Sequence, residues 1–586
     1  MLYIAGGLAV ILIVTAFHRV DMGSPAYRYH QHQERPGEAE LGTCNVCGGG
    51  EFHTHLPIIS IDTGGQKMPG RPITFGRERE FGRTSFYELL SDLIDQHDSE
   101  LLGTVIGDFV EENAWRLEDR FVDYEDLLSE LIELVTDVFG SALEDDHDSE
   151  LGEEFISFSH RLHQTSDNGE SEILVSLHTV DNTNAWNHIG DTPIHTAQAL
   201  ARYRGNSSRW FDKPNYRIRL RRDNDTERER SLPLLGMAAG STWSLHGPFL
   251  DKTLMRNYVW MNISSEVIAG YVPNVRFCEL IVDGEYQGVY LLMEMVTVQN
   301  GRVDIRRYRD GDPVLSYLLL LDKPNPMRRI HNFSAYTRRH EPYRYMELRY
   351  PGLSNQNDYV RNYVTAEVSE IEKSLYSLDT IWHTGSYEKY LNVDSFVDFY
   401  IMKEFLVDND TFSVSTFFYK DVRGKFTIGP IWDLNNMLDN LMRSFPYNEF
   451  ILNDRGWYSA LMKDEKFTER VISRWRYLRS GVLSEERLIE YHTEVELWLG
   501  SAIVRNYEVW GYSFDPGLLS SRTRRRPNAS QMEAGLTIYD MNPSSYAEAM
   551  DWMLEYMIDR GRYMDNHIEM LRQYSHPSRH AVLALD

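Results

Sequence analysis

The residue types able to do chemistry in this chain crowd between Asp408 and Asn435. A helical pattern, Val393 to Leu406, ends just before Asp408. Thr416 to Ile428 reads as a short hairpin turning at Arg423-Gly424, and Asp433 follows at the strand's exit beside Trp432. A hairpin returns the chain on itself, so it folds Asp410 and Asp433 toward one another despite their separation in sequence. Two such carboxylates are what phosphoryl transfer requires, one to orient or deprotonate a hydroxyl and one to hold Mg2+ against a triphosphate. Either aspartate could equally be a turn cap, because Asp is common at helix ends and strand exits. A second cluster stands near the N-terminus, where Cys44-x-x-Cys47 is followed by His53-x-His55. Two thiolates and two imidazoles suit a tetrahedral zinc ion, although the histidines lack the spacing of a helical His-x3-His pair. A disulfide, or no pairing at all, is the plainer alternative.

The elements that must position these groups are legible from periodicity. His55 to Asp62 reads as a β-strand closed by Thr63-Gly64-Gly65, and Ile173–Leu177, Tyr216–Leu220 and Arg276–Val282 read as further strands. Asp283-Gly284 between two apolar runs makes Arg276 to Met295 a β-hairpin, and Leu315 to Leu321 supplies another strand. From about Tyr359 onward helical periodicity dominates. Strands first and helices afterwards predict an α+β fold. Before these strands, Leu89, Leu90, Leu93, Ile94 and later Leu101, Leu102, Val105, Ile106 trace a helical face, continued by Leu127 to Phe139. This predicts an inserted helical pair or trio with an acidic outer face.

Several of these segments together resemble the CotH-type atypical protein kinases, known from spore-coat and fungal surface proteins. The elements that carry the resemblance are Asp408-Asn-Asp410, Thr416-Phe-Phe-Tyr-Lys-Asp421, Gly424-Lys425 and Gly429-Pro-Ile-Trp-Asp433. Further matches are Leu56 to Thr63, Arg204-Gly-Asn-Ser-Ser208 with Phe211-Asp-Lys213, Asp251-Lys-Thr-Leu-Met-Arg-Asn257, and Asp283 to Glu294. The similarity spans about residues 55–75 and 172–575.

The resemblance implies an atypical protein-kinase-like two-lobed fold. An antiparallel β-rich N-lobe would take residues 55–75 and 172–295, an acidic helical insertion 76–171, and a mainly helical C-lobe 296–586. It implies ATP and Mg2+, with Asp410 orienting an acceptor hydroxyl and Asp433 and Asn435 holding the metal. Lys213, Arg204, Ser207 and Ser208 would grip the phosphates, Asp251 would pair with Lys213, and Glu294 would mark the hinge facing adenine. The implied acceptors are Ser/Thr hydroxyls of surface or coat proteins. Read without the resemblance, Lys213 is an exposed edge-strand lysine, Arg204–Ser208 a Gly-Asn-Ser turn, Asp251 an N-cap, and Glu294 a side chain with no task. The chain departs from the family pattern at three places: Asp408 replaces an amide, Asn435 replaces a second acid, and Ser415 replaces an Asn. Reduced carboxylate charge weakens Mg2+ binding without abolishing it. The competing expectation is a catalytically weak or inactive kinase-shaped scaffold of a coat or envelope layer.

Composition bounds these readings. The 586 residues include 88 acidic and 60 basic side chains, a formal charge of −28, which disfavours a nucleic-acid partner. Ser91 to Phe155 contains 22 acids and two arginines, a net −20, so the rest of the chain is a mild −8. That segment could dock a basic partner or divalent ions, or merely keep its helices solvated. With 42% hydrophobic residues and three cysteines, a large core and not disulfides must support the fold. Leu2 to Phe17 is an apolar run, read as a signal-anchor or signal peptide within residues 1–20, with residues 21–54 a polar stalk. The body is therefore expected outside the cytoplasmic membrane, anchored or secreted.

Overall fold

In the computed structural model the alternating β-branched runs become strands and the 3.6-residue patterns become helices. It describes residues 28–47, 52–70, 100–113, 130–131, 133–135, 172–205, 207–322, 328–334, 345–376, 387–440, 446–520 and 523–575. The first half is built from β1 (His53–Thr54), β2 (Ile58–Asp62), β3 (Ile173–Val180), β4 (Asn187–His188), β5 (His195–Arg204), β6 (Asn215–Arg222), β7 (Asp225–Glu229), β8 (Thr242–His246), β9 (Val275–Val282) and β10 (Glu285–Glu294). Helix α1 (Arg256–Val267) stands between β8 and β9. Eight strands form one sheet in the order β5-β3-β2-β9-β10-β8-β6-β7, and β5 also pairs with β6, so the sheet closes into a barrel with β7 outlying. Closure leaves few free edges. The alternation seen in Tyr216–Leu220 is that of a barrel wall: Tyr216, Ile218 and Leu220 are buried inside with Ile59, Val175, Trp243 and Leu280.

The hairpin read at Asp283-Gly284 is present. Both residues have positive φ, 51° and 84°, as a two-residue turn of the hairpin type demands. The expectation of an antiparallel first half needs correction, because β2 runs parallel to β9. A parallel pair needs a long crossover, and here the chain between β2 and β9 supplies it.

The second half holds a four-stranded antiparallel sheet ordered β12-β11-β13-β14, from β11 (Tyr317–Asp322), β12 (Tyr345–Tyr350), β13 (Thr416–Lys420) and β14 (Thr427–Ile428). The longer helices of this half are α2 (Asp358–Tyr376), α3 (Val393–Phe405), α4 (Glu465–Arg479), α5 (Glu485–Leu499), α6 (Ser501–Trp510) and α7 (Tyr546–His567); α3 lies on β14 and α6 on β10 of the barrel. Val275, Phe277, Val289, Leu291 and Met293, the outward residues of β9 and β10, join α1, α3 and this sheet in one continuous core. The fold is therefore α+β, with barrel and helical body sharing apolar surface.

Residues 28–47, within the stretch read as a stalk, lie against the body instead of standing off it. Arg28 donates to the carbonyls of Val272 and Pro273, both at 2.8 Å, and Arg35 pairs with Asp181. Gln31 is fully buried, and its amide exchanges hydrogen bonds with the N–H and C=O of Phe277. Polar side chains that cap backbone groups leave no hydrophobic periodicity, which is why the packing is invisible in the pattern. The apolar run in residues 1–20 lies outside the described residues, and among the described residues no helix is long and apolar enough to cross a membrane. Of the acidic insertion, Glu100–Glu112 is helical with Ile106 and Phe109 buried; most of the rest lies outside the described residues.

Candidate active site

Helix α3 delivers the chain to Asp408, and the loop from Asp408 to Ser415 is held at several points. Val407, Phe412 and Ser415 all have positive φ, 55°, 57° and 54°, a conformation that costs energy in non-glycine residues and persists where the surroundings enforce it. Asp408 is buried, forms an ion pair with the equally buried Lys403, and accepts from the backbone N–H of Asp410 at 2.9 Å and the Thr411 hydroxyl at 3.2 Å. Arg455 grasps Asn409 by its carbonyl and side chain. Phe412 seals the loop onto an aromatic stack, with its ring 5.2 Å from Tyr458 and 5.8 Å from Phe418. Asp410, half-buried, lies on this braced segment.

Two bonds dock the loop on the Trp432-Asp433 strand exit. The Ser415 hydroxyl donates to Oδ2 of Asp433 at 3.2 Å, and Lys403 Nζ donates to the carbonyl of Trp432 at 3.0 Å. The barrel adds a second cation: the Arg204 guanidinium lies 5.6 Å from the Trp432 ring centroid and donates to the Ser244 hydroxyl at 2.7 Å. Burial pushes the Asp433 carboxyl above the usual range, opposed by the charges of Arg204 and Lys403. Asp433 has φ 60°, and the backbone beyond it is clamped: Asn257 accepts from the N–H of Leu434 at 3.0 Å, and Arg256 donates to the carbonyl of Met437 at 3.0 Å.

The residues expected from sequence fall into two groups. Asp433, Ser415, Arg204 and the Asp410 loop are brought together, and Asn435 follows half-buried, with its amide nitrogen given to Asn436 at 2.8 Å. Lys213 makes its hydrogen bonds outside this group. It is 1% exposed, and its ammonium donates to Val289 O and Asn506 Oδ1, both at 2.6 Å, so burial lowers its pKa well below the ordinary value. It is not an exposed edge lysine; its two bonds tie β10 to α6. The Arg204–Ser208 turn closes on itself, Ser208 donating to Arg204 O at 3.4 Å, while the side chain of Ser207 lies outside the described residues. Gly205, at φ 109°, is required there because a Cβ would stand 1.9 Å from the Ser208 hydroxyl.

Asp251 forms its ion pair with Arg256 and reaches Lys213 only through its charge, and it accepts from the Arg256 N–H at 2.9 Å. The Asp-x4-Arg-Asn motif is thus a brace on the segment after Asp433. Glu294, fully buried, accepts from the Asn274 backbone at 2.8 Å and from Tyr271 at 3.1 Å, tying β10 to the entry of β9. Lys403, Asn257 and Arg455 were missed. Lys403 carried a signal, as the lone cation of a helix whose other charges are the acids Asp394, Asp398 and Glu404, set between Ile401-Met402 and Phe405-Leu406.

A cavity of about 80 Å3, lined by Lys252, Arg256, Asp439 and Arg525 among others, includes none of the expected site residues. Of the four ligands expected at the N-terminus, the two cysteines group with a histidine from β4. Cys44, Cys47 and His188 lie close enough to hold an ion. His55 does not join them; it is buried, with its ring 3.4 Å from Glu38 and edge-on to Trp498. The Cys-x-x-Cys turn and β4 are remote in sequence, so spacing could not supply His188.

A family model described as CotH kinase protein matches residues 201–564. Among curated proteins, none matches the chain.

Proposed function

The chain belongs to the CotH kinase family, and on that premise we propose that the Asp410–Asp433 site transfers the γ-phosphate of ATP to a Ser or Thr hydroxyl of a surface or coat protein. The observation that carries this reading is the Ser415–Asp433 hydrogen bond, which seats the Asp410 loop on the second carboxylate beside Arg204. Asp410, held through Asp408 and Asn409, accepts the proton of the acceptor hydroxyl as it attacks. Arg204, with N–H donors beyond the one given to Ser244, serves as a phosphate cation, as the resemblance implied for it alongside Lys213. The oxygen donors of Asp433 and Asn435 suit Mg2+, which when bound neutralises phosphate oxygens. Nearby His246 is held neutral, its pKa pushed by burial down to about 3, so it adds a polar edge without charge.

The test is transfer from labelled ATP with Mg2+ by the purified chain. Autophosphorylation or acceptor phosphorylation is expected, lost by more than about 10²-fold in Asp433→Ala. Wild-type turnover in that variant, or neither transfer nor nucleotide-induced thermal stabilisation in the native chain, overturns the proposal, and the latter supports the scaffold instead.

A further inference from the structure

The Cys-x-x-Cys turn meets the barrel at a place where two histidines are already paired. In the β1–β4 ladder His53 stands directly opposite His188. Cys44 Sγ lies 3.2 Å from His188 Nε2, Cys47 Sγ lies 3.3 Å from His53 Nδ1, and the two sulfurs are 3.4 Å apart. Zinc bonds of about 2.3 Å to sulfur and about 2.0 Å to nitrogen give tetrahedron edges of roughly 3.5–3.8 Å, so these three contacts need to open by only a few tenths of an ångström. Cys44, Cys47 and His188 already form one group, and the His53 ring, 6.2 Å from that of His188 between centroids, must turn toward it to complete the set. The sulfurs are unbonded; a disulfide would hold them at about 2.0 Å.

The surroundings are those of a ligand set. His188 turns its other nitrogen, Nδ1, to Asp191 Oδ2 at 3.4 Å, and that carboxylate is held by the His188 N–H at 2.9 Å and Asn182 at 2.7 Å. A carboxylate behind the imidazole sets the tautomer that leaves Nε2 for a metal. Trp186 packs edge-on against His53 at 4.7 Å between centroids, which restrains its ring. Cys44 is 3% exposed.

We infer that Cys44, Cys47, His53 and His188 bind one zinc ion, a closed structural site that staples the N-terminal arm to the β4 edge. Four protein ligands leave no open position, so the ion holds structure and does no chemistry. Binding replaces the two thiol protons, which pass to solvent, with Zn–S bonds. The inference is independent of the phosphotransfer reading.

Metal analysis of the purified full chain, with Zn2+ supplied and excess removed, is expected to find one zinc per chain. His188→Ala and Cys44→Ser should lose it, while His55→Ala keeps it. Replacement by Co2+ should give the charge-transfer absorption of thiolate ligands and the visible bands of tetrahedral cobalt. Because the ligand variants could fail to fold, X-ray absorption on the native zinc protein decides by itself, with two sulfur and two nitrogen neighbours expected. A native chain that retains no zinc, a Cys44–Cys47 disulfide found by mass spectrometry, or zinc kept by His188→Ala and lost by His55→Ala would overturn the assignment.

Discussion

Arg204 and Lys403 act on Asp433 from different parts of the fold, one from the barrel and one from α3, and both oppose the burial that raises its pKa. A metal or nucleotide needs this carboxylate ionised, so Mg2+-dependent nucleotide binding should weaken as pH falls through that raised value. Arg204→Gln removes the larger opposing charge and should move the acid limb of kcat/KM toward neutral pH; a limb that stays put or moves to lower pH refutes the electrostatic role. Lys403 has a different task. Its ion pair with Asp408 is buried on both sides, 3% and 3% exposed, so Lys403→Met leaves an uncompensated carboxylate. A loss of about 3–5 kcal/mol is expected by urea denaturation. The acid at Asp408, a departure from the family pattern, is thus matched by a lysine that shares its fate.

At the scale of elements, the loop after α3 is fixed by packing as much as by polar bonds. Phe396, Phe418, Phe426 and Trp457 stack beneath Phe412, and Gly456, at φ 49°, lets the chain pass Phe412 closely. A Cβ there would lie 2.4 Å from the Phe412 ring, which the stack prevents from yielding. Gly456→Ala should therefore cost about 1–3 kcal/mol and lower kcat more than KM, because Asp410 moves while substrate contacts remain. Equal loss in both constants, or neither, would count against loop positioning. The β10 bulge works by a similar device on the barrel side: Gly288 leaves room for Asn506, which accepts from the Val289 N–H at 3.1 Å and from Lys213. These elements read from sequence as strand, hairpin and helix, yet the contacts that orient them join residues from separate elements.

For the molecule as a whole, the N-terminal arm is a structural strap. Its groups titrate in two windows. His30 and His32 sit beside Tyr491 and Tyr258, and burial lowers both from 6.5 to about 4, against the pull of Glu494 on His32. The unfolded chain takes up these protons first, so stability falls as pH drops from about 6.5 to about 4. His492 in the core, also lowered to about 4 by burial, adds the same sign. Burial would raise Glu38, but hydrogen bonds from His55 and Ser501 outweigh it and hold its pKa at about 2. Its contribution is complete above 4.5 and lost as pH falls toward 2. Thermal denaturation across pH should show the first decline flattened in His32→Gln and the second unchanged. An unaltered first decline would mean the arm does not report through this histidine.

Chemistry was written locally, and its assembly was not. The sequence alone showed the α+β class, the hairpin at Asp283-Gly284, the two aspartates flanking the Thr416–Ile428 hairpin and the family resemblance, because each depends on periodicity, turn chemistry or short-range spacing. Closure of the barrel through β5 and β6, the parallel seat of β2, the burial of Lys213 against Asn506, the seat of Arg204 beside Trp432 and the grouping of His188 with the two cysteines came only with the tertiary structure. Each is a long-range contact between residues whose types are ordinary in their own neighbourhoods. Burial and pairing, which decide whether a lysine is a ligand or a lock, are properties of the packed chain.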